Sequence, residues 1–207
     1  MRVIATTQDV AEGAAWLAQR DARLAVALDQ TGPLPLRLSG DGFAALLEKI
    51  VSQQVSVAAA RAIWGRVEAA GLITPAAILE AGDEGLRAVG LSRPKIRYAA
   101  ALARADIDFA ALHRQSDAQV IDTLTAVPGV GIWTAQVYLM FGLGRADVFA
   151  PGDLALQESA RLIFDLPSRP KPAELARLAD DWSPWRAVAA RLLFAYYRLA
   201  KDREGMT

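Results

Sequence analysis

At 207 residues the chain is long enough for one domain or two small ones, and a hydrophobic content of 53% is ample for a buried core. It contains no cysteine and one histidine, His113, which excludes disulfides, thiolate zinc sites and four-cysteine iron–sulfur clusters and counts against a histidine metal cluster or a Ser-His-Asp triad. A net charge of zero speaks against wrapping nucleic acid through bulk electrostatics but leaves room for a local basic footprint.

Alternating β-type patterning is scarce throughout, so the expected fold class is all-α. Residues 8–30 read as one helix with Trp16, Leu17, Leu24, Val26 and Leu28 on its apolar side, broken by TGPLPLRLSGDG with its prolines and glycines. A second stripe starts at Phe43 behind a capping Asp41 and runs through Leu46, Leu47, Ile50, Val51, Val57, Trp64 and Val67 to a stop at Gly71. On that stripe Gln54 falls where an apolar residue is expected, so it either bonds a neighbouring loop or faces a polar cleft.

Thr74-Pro75 is a cap followed by proline at the first helical position, opening a short helix that ends at Gly82, and residues 83–89 add another turn or two before Gly90. Ser92 is the expected cap of the next helix, with Pro94 early in it. From Arg87 to Arg104 the charged residues are all basic: Arg87, Arg93, Lys95, Arg97 and Arg104. This stretch reads either as a solvated face or as a basic footprint. His113 is expected at the surface near a helix end. Ser116 or Asp117 then caps a helix over 118–126.

Pro128, Gly129 and Gly131 sit between Leu124 and the apolar run Trp133 to Phe141, which makes a tight turn between two helices. The glycines leave bare amides at the start of the second helix, where an anion binds without help from Lys or Arg. Twenty-two positions after Gly131, behind Pro151-Gly152, Asp153 precedes the apolar positions Leu154, Leu156, Ala160, Leu162 and Ile163. By itself it is an N-cap. PSRPKPAE forms a proline-rich connector, and Trp182, Pro184 and Trp185 open a last helix over 186–200.

Taken together, VPGVGIWTA, DVFAPGDLALQ and WSPWRAVAA, with LAQRDARLAVAL and IVSQQVSVAAARAIW earlier in the chain, resemble the DNA-3-methyladenine glycosylase II branch of the helix-hairpin-helix DNA glycosylases. The resemblance covers nearly the whole chain. It implies two helical subdomains flanking a DNA-binding cleft: residues 36–115 with a minor-groove wedge loop, and residues 116–207 with the hairpin and a catalytic Asp, the latter joined by the N-terminal helix of residues 1–35.

What the resemblance implies for single residues follows position by position. Asp153 is the catalytic carboxylate. Trp133, Gln53, Gln54 and Phe194 line the base pocket; Trp133 would otherwise pack in the core against Phe141 or Trp185. A cationic alkylpurine is attracted to the Trp133 face by about 0.5–2 kcal/mol. The amides of Gly129, Gly131 and Thr134 meet a DNA phosphate, one of Leu91, Ser92 or Arg93 enters the base stack, and Lys95 and Arg97 contact phosphates. The carbonyls of Thr125, Val127 and Val130 hold a monovalent Na+ or K+ when DNA is bound, and no other cofactor is required. Relatives that also cut the sugar-phosphate chain carry a lysine two residues after the last hairpin glycine, where this chain has Trp133, so hydrolysis without lyase chemistry is expected.

The implied function is excision of alkylated purines such as 3-methyladenine and 7-methylguanine from double-stranded DNA in base excision repair. The alternative is a non-catalytic helix-hairpin-helix module in which Asp153 is only a cap. The N-terminus lacks an uninterrupted apolar stretch and nothing approaches a membrane span, so the cytoplasm, at the nucleoid if bacterial, is expected; a monomer is expected as well. Substitution at Gly129 or Gly131 is expected to weaken DNA binding more than substitution at Gly144.

Overall fold

The structure, a computed structural model, describes residues 2–204. Among these residues it is all-α: twelve helices, with extended pairing limited to a single bridge between Val3 and Arg145. The chain divides into two compact units, one made of residues 1–38 and 144–207, the other of residues 39–143.

The first unit contains α1 (Thr7–Arg20), α2 (Ala22–Thr31), α10 (Leu154–Ile163), α11 (Pro172–Asp180) and α12 (Arg186–Glu204). Its two chain segments are joined by backbone pairing: Ile4 N–H donates to Gly144 O at 2.7 Å and Ala146 N–H to Arg2 O at 3.2 Å. Helix α12 packs against α1, α2 and α10. Its first turn follows Trp182 and Trp185, both buried; Trp182 stacks on Phe164 and meets Phe149 edge-on.

The single helix expected over 8–30 is two. Asp21 takes an extended conformation and its carboxylate accepts from Arg23 N–H at 2.8 Å, so it stops α1 and starts α2 in one residue. Helix α11 lies partly in what read as a connector. Pro172 at its first position and Glu174, which accepts from Lys171 N–H at 2.7 Å, are standard start signals, and Leu175 and Ala179 are buried.

The second unit contains α3 (Gly42–Val51), α4 (Val57–Ala69), α5 (Pro75–Ala88), α6 (Arg93–Arg104), α7 (Phe109–Leu112), α8 (Asp117–Thr125) and α9 (Ile132–Phe141). Helix α3 contacts α4, α6, α7 and α9. From Ala135 to Phe141 every residue of α9 but Gln136 is buried, as suits a helix apolar all round. The two ends of this unit are tied together. Ser39 N–H donates to Phe141 O at 2.8 Å, and Gly42 N–H donates to the Tyr138 hydroxyl at 3.0 Å.

The stripe that began at Phe43 also breaks. Helix α3 ends at Val51, whose carbonyl accepts the Lys95 ammonium at 2.6 Å, and Gln54 has a left-handed backbone, φ 56°. Gln54 is therefore an exposed loop residue rather than a polar intrusion on a helix face. Gly82, at φ 58°, kinks α5 where a boundary was expected. The subdomain boundary expected at 115/116 is moved to 143/144: α8 and α9 pack on each other and α9 on α3, so the whole hairpin belongs with the unit of residues 39–143.

Candidate functional site

The turn from α8 into α9 is closed by Val130 N–H donating to Val127 O at 3.0 Å. Gly129 has φ 91°, and a Cβ there would lie 2.2 Å from Cγ of Tyr98, so the Tyr98 ring packs directly on this glycine. Gln53 holds the turn from the side: its Nε2 donates to Gly129 O at 3.0 Å and to Thr134 Oγ1 at 3.1 Å. Of the two glutamines expected at a base pocket, Gln53 thus bonds the hairpin.

Helix α9 begins at Gly131 with no side-chain cap. Gly131 is exposed, and a Cβ added there meets nothing within 4 Å. The first amides of α9 therefore carry the partial positive charge of a helix start with open space before them. Trp133 is 39% exposed, so its indole is not core packing. Thr134 is buried, its hydroxyl taken by Gln53.

Helix α6 also starts without a side-chain cap, at Ser92. Ser92 and Arg93 are exposed, whereas Leu91 is 4% exposed. Of the three residues expected at a base stack, Leu91 thus packs in the core of this unit and Ser92 and Arg93 are the exposed ones. Lys95 departs from its expected role as well. Its stem is buried and its ammonium caps the C-terminal end of α3 through Val51, with desolvation lowering its pKa. Arg97 is exposed and, with Arg87, Arg93, Asp83 and Pro94, lines a depression of about 570 Å³. A second pocket of about 460 Å³ is lined by Gln53, Gln54, Ser92, Lys95, Tyr98 and Gly129 among others, bringing the loop after α3, the start of α6 and the hairpin to one place.

Thr125, Val127 and Val130 lie at the end of α8 and on the hairpin turn; the Val127 carbonyl already accepts Val130 N–H, which leaves it one further lone pair for a ligand. An all-oxygen backbone set of this kind fits a hard monovalent ion and not a transition metal. Among the described residues no group of His, Cys, Asp and Glu side chains is arranged to hold a metal.

In the other unit, Asp153 follows the turn at Pro151-Gly152 and is the N-cap of α10. One carboxylate oxygen, Oδ1, accepts from both Ala155 N–H at 2.8 Å and Leu156 N–H at 3.2 Å, and the residue is 9% exposed. Gln157 steadies the same turn by donating to Pro151 O at 2.8 Å. Phe194, on α12, carries the guanidinium of Arg37 over its ring at 4.6 Å from the centroid. Desolvation lowers the Arg37 pKa, Arg198 adds to that, and the Asp153 carboxylate opposes it. Asp153, Phe194 and Arg37 thus share one neighbourhood.

Two of these residues gave no sequence signal. Tyr98 lies on an ordinary amphipathic helix, and only the absence of a side chain at Gly129 hints that a ring belongs there. Arg37 stands in a Pro- and Gly-rich linker, where nothing marks it. A Cβ at Gly144, φ 66°, would lie 2.5 Å from Ile4 O, so substitution there is sterically more constrained than at Gly131, which is a matter of folding rather than of DNA binding.

An all-α chain with a glycine hairpin feeding an uncapped helix, then a Pro-Gly turn and a carboxylate at the next helix start, has the layout of the helix-hairpin-helix class. Residues 47–184 match the HhH-GPD superfamily of base excision DNA repair proteins. DNA-3-methyladenine glycosylase 1 of Schizosaccharomyces pombe is 30% identical over 164 residues, 75% of this chain and 72% of that protein. The solved structure of an S. pombe 3-methyladenine DNA glycosylase in complex with abasic DNA superposes with a TM-score of 0.81 at 26% identity, covering 92% of this chain and 97% of that one. A DNA-3-methyladenine glycosidase from Bacillus halodurans gives a TM-score of 0.78 at 32% identity, covering 89% and 88%. The chain belongs to the HhH-GPD superfamily of base excision DNA repair proteins.

Proposed function

We propose that this protein is a monofunctional DNA glycosylase that releases alkylated purines, of the 3-methyladenine and 7-methylguanine type, by hydrolysing the N-glycosidic bond. The observation that carries this reading is Asp153, a carboxylate held in fixed orientation by two backbone N–H groups at the start of α10, in a chain of this family. The base leaves the helix stack before its glycosidic bond can be reached. As that bond breaks, its electron pair passes to the base and positive charge develops on the sugar. A preorganised carboxylate stabilises that charge and orients the water that adds to C1′, the water proton being lost as the hydroxyl forms.

Lyase chemistry needs an amine nucleophile, and the position where the resemblance puts one is Trp133. Lys95 is committed to the end of α3, and Lys49, Lys171 and Lys201 lie outside the hairpin and α9. The partner on this reading is double-stranded DNA containing alkylated bases, bound by a monomer, with the open amides at Gly131 taking a phosphate and Na+ or K+ at the hairpin carbonyls. No helix of the described residues is long and apolar enough to cross a membrane.

The capping bonds of Asp153 favour one other reading, a non-catalytic DNA-binding module. Incubation with methylated duplex separates the two. Free methylpurine, heat-labile abasic sites and no borohydride-trapped adduct are expected. Binding without release of base would refute the enzyme, and an efficiently trapped adduct would refute the monofunctional chemistry.

A further inference from the structure

Arg37, in the linker after α2, has a left-handed backbone, φ 50°, an uncommon conformation for a residue with a side chain. Its neighbour is pinned: Leu36 O accepts Arg191 Nε at 3.0 Å, and Arg191, 1% exposed, also donates from Nη1 to Ala187 O at 2.9 Å. The linker is therefore anchored to α12 one residue before Arg37. The consequence of this geometry is that the Arg37 guanidinium lies over the Phe194 ring, 4.6 Å from its centroid, in electrostatic reach of Asp153 and Arg198, while the residue as a whole stays exposed. A backbone fixed at one residue and left-handed at the next, delivering a cation onto an aromatic face, is a placement with a purpose beyond solvation.

We propose that Arg37 determines specificity by charge, disfavouring purines that arrive as cations and favouring neutral purines whose ring acceptors take its N–H donors. This rests on the glycosylase reading, in which Phe194 faces the extruded base and Asp153 the sugar. Like charges repel, so a cationic N-alkylpurine near this guanidinium is bound less well than the same site without it would allow. A neutral 6-oxopurine behaves oppositely. When its C1′–N9 bond breaks, the electron pair leaves negative charge on the ring, and guanidinium donors stabilise it; water adds to C1′ and its proton finishes on the purine. A cationic base departs neutral and gains little from such donors.

The test is single-turnover release, at saturating enzyme, of hypoxanthine and of 7-methylguanine from otherwise identical duplexes by the full chain, by Arg37→Met and by Arg37→Lys. Arg37→Met is expected to slow hypoxanthine release about tenfold or more and to leave 7-methylguanine release unchanged or faster. Arg37→Lys, which keeps the charge, is expected to stay closer to the wild-type ratio. Saturating single-turnover rate constants do not depend on the folded fraction, so a less stable variant cannot mimic a change of ratio. An unchanged ratio in Arg37→Met overturns the proposal alone, as does a wild-type protein that removes 7-methylguanine but no hypoxanthine. A wild-type protein that releases neither base overturns the glycosylase reading, and this role with it.

Discussion

Helices α9 and α10 both begin just after a glycine turn, yet their first amides meet opposite fates. Helix α9 starts at Gly131 with no side-chain cap and open space where a Cβ would stand. Helix α10 starts at Asp153, whose Oδ1 takes two amides at once. Both helix starts carry the same partial positive charge. Glycine leaves that charge for an anion from outside, whereas aspartate supplies its own anion and thereby fixes a carboxylate in one orientation. In the proposed function the first suits a DNA phosphate and the second a sugar that becomes positive, so one residue type at one helix position divides binding from chemistry.

The largest effect should come from separating the two duties of Asp153. Asparagine caps a helix about as well as aspartate, so Asp153→Asn is expected to change stability by less than about 1 kcal/mol. Loss of the full charge should slow base release on the order of 10² to 10³ while damaged-DNA binding survives. Asp153→Ala should lose the cap as well, about 1–2 kcal/mol in denaturant unfolding. If release rates across the two variants follow stability rather than charge, Asp153 is a cap and nothing more.

On the α9 side the glycines should part company. At Gly129 the backbone is left-handed and Tyr98 fills the place of a side chain, so Gly129→Val should destabilise by on the order of 3 kcal/mol. Gly131, at φ −89° with empty space ahead, should accept Gly131→Ala within about 1 kcal/mol. Any loss of DNA affinity there would report crowding of a phosphate. Between these lies Gln53→Leu, which removes two hydrogen bonds from the hairpin and should cost about 1–2 kcal/mol. Thermal unfolding alongside DNA-binding titrations would check all three. Equal affinity losses at Gly129 and Gly131, with no stability difference, would break the contrast between a shaped turn and an open helix start.

The difference between the two helix starts was legible in the sequence, because caps, prolines and glycines act within three or four residues of chain. Thr74, Ser92, Ser116, Gly131 and Asp153 all stand at the helix starts they were expected to mark. Periodicity was less sufficient where a helix restarts in phase: Asp21 splits one stripe, and the loop at 52–56 splits another, since apolar spacing does not register a single residue leaving helical geometry. The remaining misses are long-range. That Lys95 spends its charge on Val51, that Tyr98 covers Gly129, and that Arg37 lies over Phe194 depend on packing partners between 31 and 157 positions away, which no local pattern encodes. The domain boundary moved for the same reason, α9 being claimed by α3 rather than by the segment that follows it.

The smallest expected effect concerns Asp41, which shows that a carboxylate cap can be wholly structural. It caps α3 through Gly42 N–H, accepts the Tyr138 hydroxyl, and meets His113 Nε2 on its other oxygen. Tyr138 lies on α9, so this cap fastens α9 to α3 instead of facing a substrate. Burial, with the carboxylate beside it, pushes the Tyr138 hydroxyl well above its ordinary pKa of 10.0. A folded-state pKa raised above the unfolded one means that the native state keeps a proton the unfolded state has lost. The contribution of Tyr138 is therefore fully present below about pH 10 and declines as pH rises beyond it towards the raised folded value. Tyr138→Phe should cost about 1 kcal/mol at neutral pH, from the lost hydrogen bond and an unshared cap. The stability difference between wild type and Tyr138→Phe, followed by urea unfolding from pH 8 to pH 11, should hold level and then shrink above about pH 10. A difference that grows with pH would mean that the phenol is not the donor to Asp41, and the contrast between a structural and a chemical carboxylate would have to rest on Asp153 alone.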